Sequence, residues 1–318
     1  MSHSRSRFIA SSATLALAIQ ARSAGAQAPQ VIRAAITPIN YDAVPMLYAL
    51  KTGAFAKAGL DVQLQRITSG AAITAAVAGG AIDIGKSSAP PLYTAFARGV
   101  PVTIIAPGAI YDAKSPNAGL VVLPNAPYKV PSDLNGQSVA LNSINDISQA
   151  SIEAWFGQNG GDPALLKFVE IPQAAEVAAL EEHRIGAALL TSPAFDAAII
   201  DGRVRSIAAP FSAIAPRFLF SAYFTTRDFA GKHRDALKRF SDTLIAAAAY
   251  TNAHHTELTA TIADLMGVKP YVVEKMNYPI GGMALLAAEV QPVIEIGLRY
   301  KLIPTRFAPQ DILWNPTS

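Results

Sequence analysis

Residues 80–87 read Gly-Ala-Ile-Asp-Ile-Gly-Lys-Ser. This is the G-x-x-x-x-G-K-S spacing with which a backbone loop surrounds nucleotide phosphates while Lys and Ser open the next helix. That chemistry needs a buried strand before the first glycine and a turn between the two glycines. Here Gly80 follows a helix-like run, and residues 81–85 read as the strand itself. No second motif supplies a strand-end Asp for magnesium. The setting for nucleotide hydrolysis is missing. What remains is Lys86-Ser87-Ser88 at the C-terminal end of a parallel strand, just before a helix. Open α/β sheets bind ligands there, and helix starts favour anions.

Other chemistries find less support. The chain has no cysteine, which excludes disulfides, thiol catalysis and thiolate metal sites. No G-x-S-x-G is present. His183 ends a helix-like run, and His233 and the pair His254-His255 stand in polar surroundings. Adjacent histidines point apart on a helix, whereas helical zinc pairs need i, i+4 spacing. No metal and no cofactor is expected. Glu181-Glu182 beside Arg184 read as a solvated face, and Trp155 and Trp314 as buried or surface anchors. Ser69, Ser88, Ser148 and Ser192 are more suggestive. Each stands just before a helix-like run, where hydroxyls and free N–H groups hold an anion without a formal positive charge. A plain N-cap is the alternative for each serine, and a solvated side chain is the alternative for Lys86.

Short apolar runs alternating with helix-like segments position these groups. Strands are expected over 31–37, 61–68, 81–85, 102–106, 138–141, 166–171, 187–190 and 218–225. Helices are expected over 43–58, 69–78, 89–98, 148–158, 174–183 and 193–200. Such alternation argues for parallel α/β sheets. The last third is mostly helical, with Leu237, Phe240, Leu244 and Ala248 on one face and Leu258, Ile262 and Leu265 on another. Two α/β blocks and a helical tail that returns to the first block give two lobes joined by two crossings, near 119–123 and 218–225. A cleft between such lobes is a standard place for a small ligand.

The N-terminus stands apart. Residues 1–7 carry Arg5, Arg7 and His3 without an acid, residues 8–19 are an apolar run, and small-x-small sites end at Ala26 and Ala28. This is the layout of a secretory signal peptide over residues 1–28, cleaved after Ala26 or Ala28. About 12 apolar residues are too few to span a bilayer, which needs roughly 20. Removing the three leader arginines from 26 basic side chains leaves 23, equal to the 23 acids. The charge argument for nucleic acid or anionic membrane partners goes with the leader.

The segments GAFAKAGLDVQL (53–64), GGAIDIGKSSAPPL (79–92), PSDLNGQSVAL (131–141), RDFAGKHRDALKRF (227–240) and YKLIPTRFAPQDILW (300–314), in this order over nearly the whole mature chain, carry a resemblance. The chain resembles the solute-binding proteins of ATP-driven importers for nitrate, sulfonate, taurine and similar solutes, and the related thiamine-precursor-binding proteins. The resemblance implies an α/β two-lobed type II periplasmic binding protein, a Venus flytrap with two hinge crossings. Lobe one is 30–118 plus 222–318, and lobe two is 119–221. It further implies a periplasmic monomer without catalytic activity. Its partners are a small, anionic, sulfonate-, nitrate- or carboxylate-like solute and an ABC permease in the membrane, not nucleic acid. Carried over by position, the ligand lies among Thr37, Asn40 and Tyr41, Ser69 and Gly70, and Lys86, Ser87 and Ser88 in lobe one. In lobe two it lies among Asn142, Ser143, Asn145 and Ser148, and Thr191 and Ser192. Tyr41 supplies a flat wall with a phenol donor.

Two departures concern the solute. Many relatives have an aromatic residue and an acid where Thr191 and Ser192 stand, and the segment 142–146, Asn-Ser-Ile-Asn-Asp, is richer in amide and acid than the usual Gly/Ser-rich loop. Asp146 repels an anion unless it is paired or turned away. Two other classes compete. A binding protein that feeds a sensor has the same cleft. A pyrimidine synthase of this fold depends on a cysteine-rich iron motif, which this chain lacks.

Overall fold

The computed structural model describes residues 28–37 and 41–315. The expected leader lies outside the described residues except for Ala28. Two sheets organise the chain. The first has the order β11-β4-β10-β3-β1-β2 and the second β7-β6-β8-β5-β9. In chain order the elements are β1 (Gln30–Ile36), α1 (Val44–Lys51), α2 (Ala54–Lys57), β2 (Leu60–Arg66), α3 (Gly70–Ala78), β3 (Ile84–Ser88), α4 (Ala89–Ala97) and β4 (Val102–Asp112). The second sheet follows with β5 (Ala118–Val122), β6 (Ser138–Leu141), α5 (Ile147–Gln158), β7 (Lys167–Glu170), α6 (Gln173–Glu181), β8 (Ala187–Thr191), α7 (Ala194–Ile200) and β9 (Arg205–Ala208). The chain then returns through β10 (Arg217–Thr226), α8 (Arg227–Lys232), α9 (Arg234–Ala253), α10 (His255–Met266), α11 (Pro270–Lys275), β11 (Ile280–Gly281), α12 (Ala287–Arg299) and α13 (Pro309–Ile312).

β1 runs parallel to β2 and β3, and β6 runs parallel to β7 and β8. β10 inserts antiparallel between β3 and β4. The chain passes between sheets in the segments 113–117 and 209–216, just upstream of where the sequence pattern points. One apolar cluster runs through both halves, from Ile73 and Leu92 through Ile104 and Phe218 to Leu120, Phe156 and Val293, with smaller clusters beside it. The tail helices cover the first sheet. Leu237, Phe240, Leu244 and Ala248 are all buried on α9, and Phe240 stacks on Phe55 with ring centroids 5.0 Å apart. Each leucine or phenylalanine side chain here contributes about 1.5–3 kcal/mol on burial.

Three local expectations differ from what forms. The helix expected over 43–58 is two helices, because Gly53 takes φ +68 and ends the first, a conformation that glycine adopts without Cβ strain. The strand expected over 102–106 continues to Asp112. It carries Pro107 in its interior, and its pairing with β10 is irregular there, between Leu219 and Ser221 and between Ser221 and Ala222. Proline lacks a ladder donor and is tolerated at such bulges. The strand expected over 81–85 lies three residues later, at Ile84–Ser88. Asp83 is held in the approach turn by Arg33, whose N and Nε donate to its Oδ2 at 2.8 and 3.0 Å. Beyond it, Ser88 pairs with Ser221 of β10 and extends the strand.

Candidate functional site

The shifted strand decides the status of the phosphate-loop motif. Gly80 follows α3, residues 81–83 are a tight approach, and Gly85, Lys86 and Ser87 are rungs of β3. Only this short bend and the first residue of β3 lie between the two glycines, not the open loop that cradles phosphates. Lys86 is 2% exposed, and its Nζ lies 2.5 Å from Oδ2 of Asp42, itself 7% exposed. Asp42 stands in the single turn of 3-10 helix after β1. Its other oxygen, Oδ1, has no hydrogen-bond partner among the described residues. Tyr223 of β10 pairs with Lys86 of β3, and its buried hydroxyl also has no partner among the described residues. Burial first, and then the nearby Asp42 carboxylate, raise the Tyr223 phenol well above its ordinary value.

A cleft of about 60 Å³ opens beside this pair. Thr37, Asp42, Ser69, Gly70, Lys86, Ser88 and Pro91 line it from the first-sheet half. Asn142, Ser143, Asp146, Ile147, Ser148, Gln173, Leu189 and Thr191 line it from the second. Phe220 of β10 completes the lining. Most of these positions follow or end parallel strands, which explains the convergence: chain leaving β1, β2, β3, β6, β7 and β8 emerges on the carboxyl edges of the two sheets. Nine of the expected site residues meet here: Thr37, Ser69, Gly70, Lys86, Ser88, Asn142, Ser143, Ser148 and Thr191.

The helix starts around the cleft are unequal. At α3, Ser69 caps by accepting from Ala72 N at 3.2 Å. At α4, Ser88 holds the cap position without a side-chain bond, and Pro90 and Pro91 carry no N–H to offer. At α5 the cap is Asp146, not a serine. Its Oδ1 accepts from Ser148 N at 2.8 Å and Gln149 N at 3.4 Å. Ser148 is thus the second residue of the helix. The α5 start already holds a carboxylate where an anionic ligand would sit. Burial in the cleft wall pushes the Asp146 carboxyl up to about 6, against its backbone hydrogen bonds. Near it Glu176 of α6 is fully buried, and neither of its carboxyl oxygens has a partner among the described residues. Burial and then the charge of Asp146 push its carboxyl up to about 8. Glu170 at the end of β7 accepts from Ile144 N at 3.1 Å.

Gln173 ties this wall together. Its Nε2 donates to Thr191 O at 2.7 Å, its Oε1 accepts from Thr191 Oγ1 at 3.0 Å, and its backbone N donates to Asn142 Oδ1 at 3.3 Å. One residue thereby ties three loops, through its side chain and its backbone N–H. Gln173 carries no spacing signal in the sequence, because its partners are 18 and 31 residues away.

The other expected positions lie elsewhere. Tyr41 turns into a separate core with Val44, Leu258 and Ile262, and its hydroxyl bonds His255 Nδ1 at 2.9 Å. It forms no wall of this cleft. Ser87 alternates with Lys86 and Ser88 and so faces α3, under Gly70, with an unpartnered Oγ. Asn145 takes φ +60 and lies on an adjoining groove with Ile144 and Thr94. Ser192 is 2% exposed and donates from Oγ to Asn117 O at 3.1 Å. Asn40 lies outside the described residues.

A family model described as NMT1/THI5 like matches residues 40–257, more than half of the chain. The chain belongs to the NMT1/THI5-like family. One relative is the taurine-binding periplasmic protein of Escherichia coli K12, 28% identical over 209 residues, which are 64% of this chain. The match spans 62% of that protein's length. Among solved structures, the alkanesulfonate-binding protein of Xanthomonas axonopodis pv. citri, bound to MOPS, superposes with a TM-score of 0.76 at 17% identity, over 90% of this chain and 98% of that one. The periplasmic nitrate-binding protein of Synechocystis PCC 6803 gives 0.71 at 15% identity, over 89% and 84%. These superpositions establish for this NMT1/THI5-like chain the two-sheet α/β fold of periplasmic binding proteins.

Proposed function

We propose that this chain is the exported substrate-binding component of an ABC importer. It captures a small solute in the cleft between its two halves and presents it to a membrane permease. The observation that carries the reading is the convergence of nine hydroxyl, amide, amine and glycine positions from both sheets on one small cavity, in a chain of this family. In this reading residues 30–118 and 222–318 move as one lobe against 119–221. A solute touching both walls favours the closed form and supplies the differential contact that closure requires. The leader-like N-terminus supports export to the periplasm, with cleavage after Ala26 or Ala28, and a monomer suffices for the mechanism. No helix among the described residues is long and apolar enough to cross a membrane. A sulfonate- or nitrate-like solute agrees with the names of these relatives, and a carboxylate stays within the same small-anion class.

A thermal-shift screen of the full chain tests the proposal. The panel is nitrate, sulfonates, carboxylates and pyrimidines, with Mg-ATP as control. A solute at about 100 times its dissociation constant adds roughly 2.7 kcal/mol of stability, so a shift with one solute class is expected. A shift with Mg-ATP alone overturns the reading.

A further inference from the structure

Glu176 is the acid that solute capture leaves unexplained. It is fully buried, and neither carboxyl oxygen has a partner among the described residues. No cation pairs with it, with Asp146 or with Glu170 among those residues. An ionised carboxylate so placed is expensive, and the group holds a proton instead. Its place ties it to the cleft. Gln173, which lines the cavity, stands three residues earlier on α6, and residues at i and i+3 share a helix face. Asp146 lines the same cavity at the α5 start. Burial and then the charge of Asp146 raise the Glu176 carboxyl, so the protonation of one acid depends on the charge of the other.

The charged groups around these two acids do not offset them. Beyond burial, Glu170 at the end of β7 raises the Asp146 carboxyl further, and Lys167 stands at the other end of that strand. Glu153 lies along α5, bonded to Gln149. Against α5 pack the turns 163–165 and 210–213, which carry no titratable residue, and α12. Asp162 caps the first of these turns, and α12 brings Arg299 together with Glu289 and Glu295, each paired with an arginine. Against α6 pack β8, which carries no titratable residue, and α7, which brings Asp196. Across the cleft Lys86 is neutralised by Asp42, and Lys301 stands in the adjoining groove with Ser143 and Asn145. An anion entering the cleft meets Asp146 with no cation paired to it.

We propose that Asp146 and Glu176 form a proton-binding site coupled to the cleft, so that capture of an anionic solute takes up a proton and is tighter at acid than at alkaline pH. With folded values of about 6 for Asp146 and about 8 for Glu176, the two acids between those limits hold about one proton and one negative charge. A solute anion disfavours that charge and moves the proton affinity of Asp146 upward. At the acid end both carboxyls are already neutral and nothing repels the anion. As pH rises each captured anion must bring a proton with it, and affinity falls by up to about ten-fold per pH unit. A protonated Asp146 also offers an O–H donor where its carboxylate offered none. This inference rests on solute capture by the cleft.

The test is calorimetric titration of the full chain with nitrate, ethanesulfonate and acetate, or with any larger anion of the solute panel that shifts the melting instead. It runs from about pH 6 to about pH 9, where these anions stay ionised, in two buffers of different ionisation enthalpy. Affinity should fall at least about ten-fold across the range, and the buffer dependence of the heat near neutral pH should report a proton taken up per anion bound. Asn caps helices as well as Asp does, so Asp146→Asn keeps the α5 start. That variant should take up no proton, show a flat profile, and bind the anion more tightly than the unaltered chain at the alkaline end. Glu176→Gln, which stands in for the protonated acid, should flatten the profile at its alkaline end only. Equal affinity at both ends without proton uptake overturns the proposal, and so does release of a proton on binding. An Asp146→Asn variant that keeps the full pH dependence overturns it as well. Binding confined to uncharged pyrimidines sinks the coupling and leaves solute capture standing. Silence of the unaltered chain and both variants toward the whole panel, at both ends of the range, sinks solute capture itself.

Discussion

Each wall of the cleft carries an aspartate, and the two walls manage it differently. On the first-sheet wall Asp42, in the turn after β1, meets Lys86 of the neighbouring β3, and the pair is almost closed to solvent. On the second-sheet wall Asp146 accepts from two backbone N–H groups of its own helix and, at 3.5 Å, from the Ser148 hydroxyl, with Glu170 and Glu176 nearby. The first arrangement fixes a charge pair that gains little net stability but is expensive to break. The second leaves a carboxylate whose proton is held more tightly than usual. One wall is rigid and neutral, the other responsive and acidic, although the residue type is the same.

Removing one partner of the rigid pair should have the largest effect. Lys86→Ala leaves Asp42 buried and unpaired and should cost about 3–5 kcal/mol, read as a lower urea midpoint. Adding Asp42→Asn to Lys86→Met should recover most of that, because apolar replacement of a buried pair is often neutral. A loss below about 1 kcal/mol for Lys86→Ala would show that the walls do not differ in this way.

The acidic wall predicts a pH dependence of opposite origin. Asp146 and Glu176 have folded values of about 6 and about 8, above the ordinary carboxylate range of about 4. The folded chain therefore binds more protons than the unfolded chain in that window. Stability is greatest at its acid end and falls as pH rises toward 8, by on the order of 1 kcal/mol per pH unit. Glu176→Gln should flatten the upper part of this decline in denaturation curves between pH 5 and 8. An unchanged slope would place the effect on another group.

Gly70 sharpens the contrast on the first wall. A Cβ there would stand 2.2 Å from Ser87 Oγ, so Gly70→Ala should cost about 1–3 kcal/mol through overpacking. Ser87→Ala removes a buried hydroxyl that lacks a partner and should be neutral or slightly stabilising. In that background Gly70→Ala should be milder, as a double-mutant cycle would show. The smallest effect is expected at Lys238, whose pair with Asp242 at 2.6 Å is solvent-exposed. Lys238→Ala should change the melting midpoint by no more than about 0.5 kcal/mol equivalent. That sets the surface baseline for the buried pair.

What could be read from the sequence follows how local each cause is. Ser69 is legible as the cap of α3 because its acceptor role is satisfied three residues on. The apolar face of α9 is legible because its period is its own. Asp146 stands two residues before the serine first taken to open that helix, so the element was visible and its cap was not. The position of β3 depends on Ser221, more than a hundred residues away, and the Lys86 ion pair depends on a turn forty-four residues back. Tyr41 reads equally well as a cleft wall or a core residue until His255, in another helix, accounts for its hydroxyl. Side chains whose partners come from distant elements carry no trace of them in spacing.

β10 sits between β3 and β4 although the whole second sheet separates it from them in the chain. A chain emerging from its N-terminus therefore completes the contiguous second half, residues 118–208, before the first half receives its central strand. Until residues 217–226 arrive, β3 and β4 have open edges facing one another, and Lys86 lacks the strand that carries Tyr223. Such long-range pairing is slow to form and leaves strand edges exposed meanwhile. The half that begins the chain is thus the half whose sheet is completed last along the chain, by a strand that returns from beyond the second sheet.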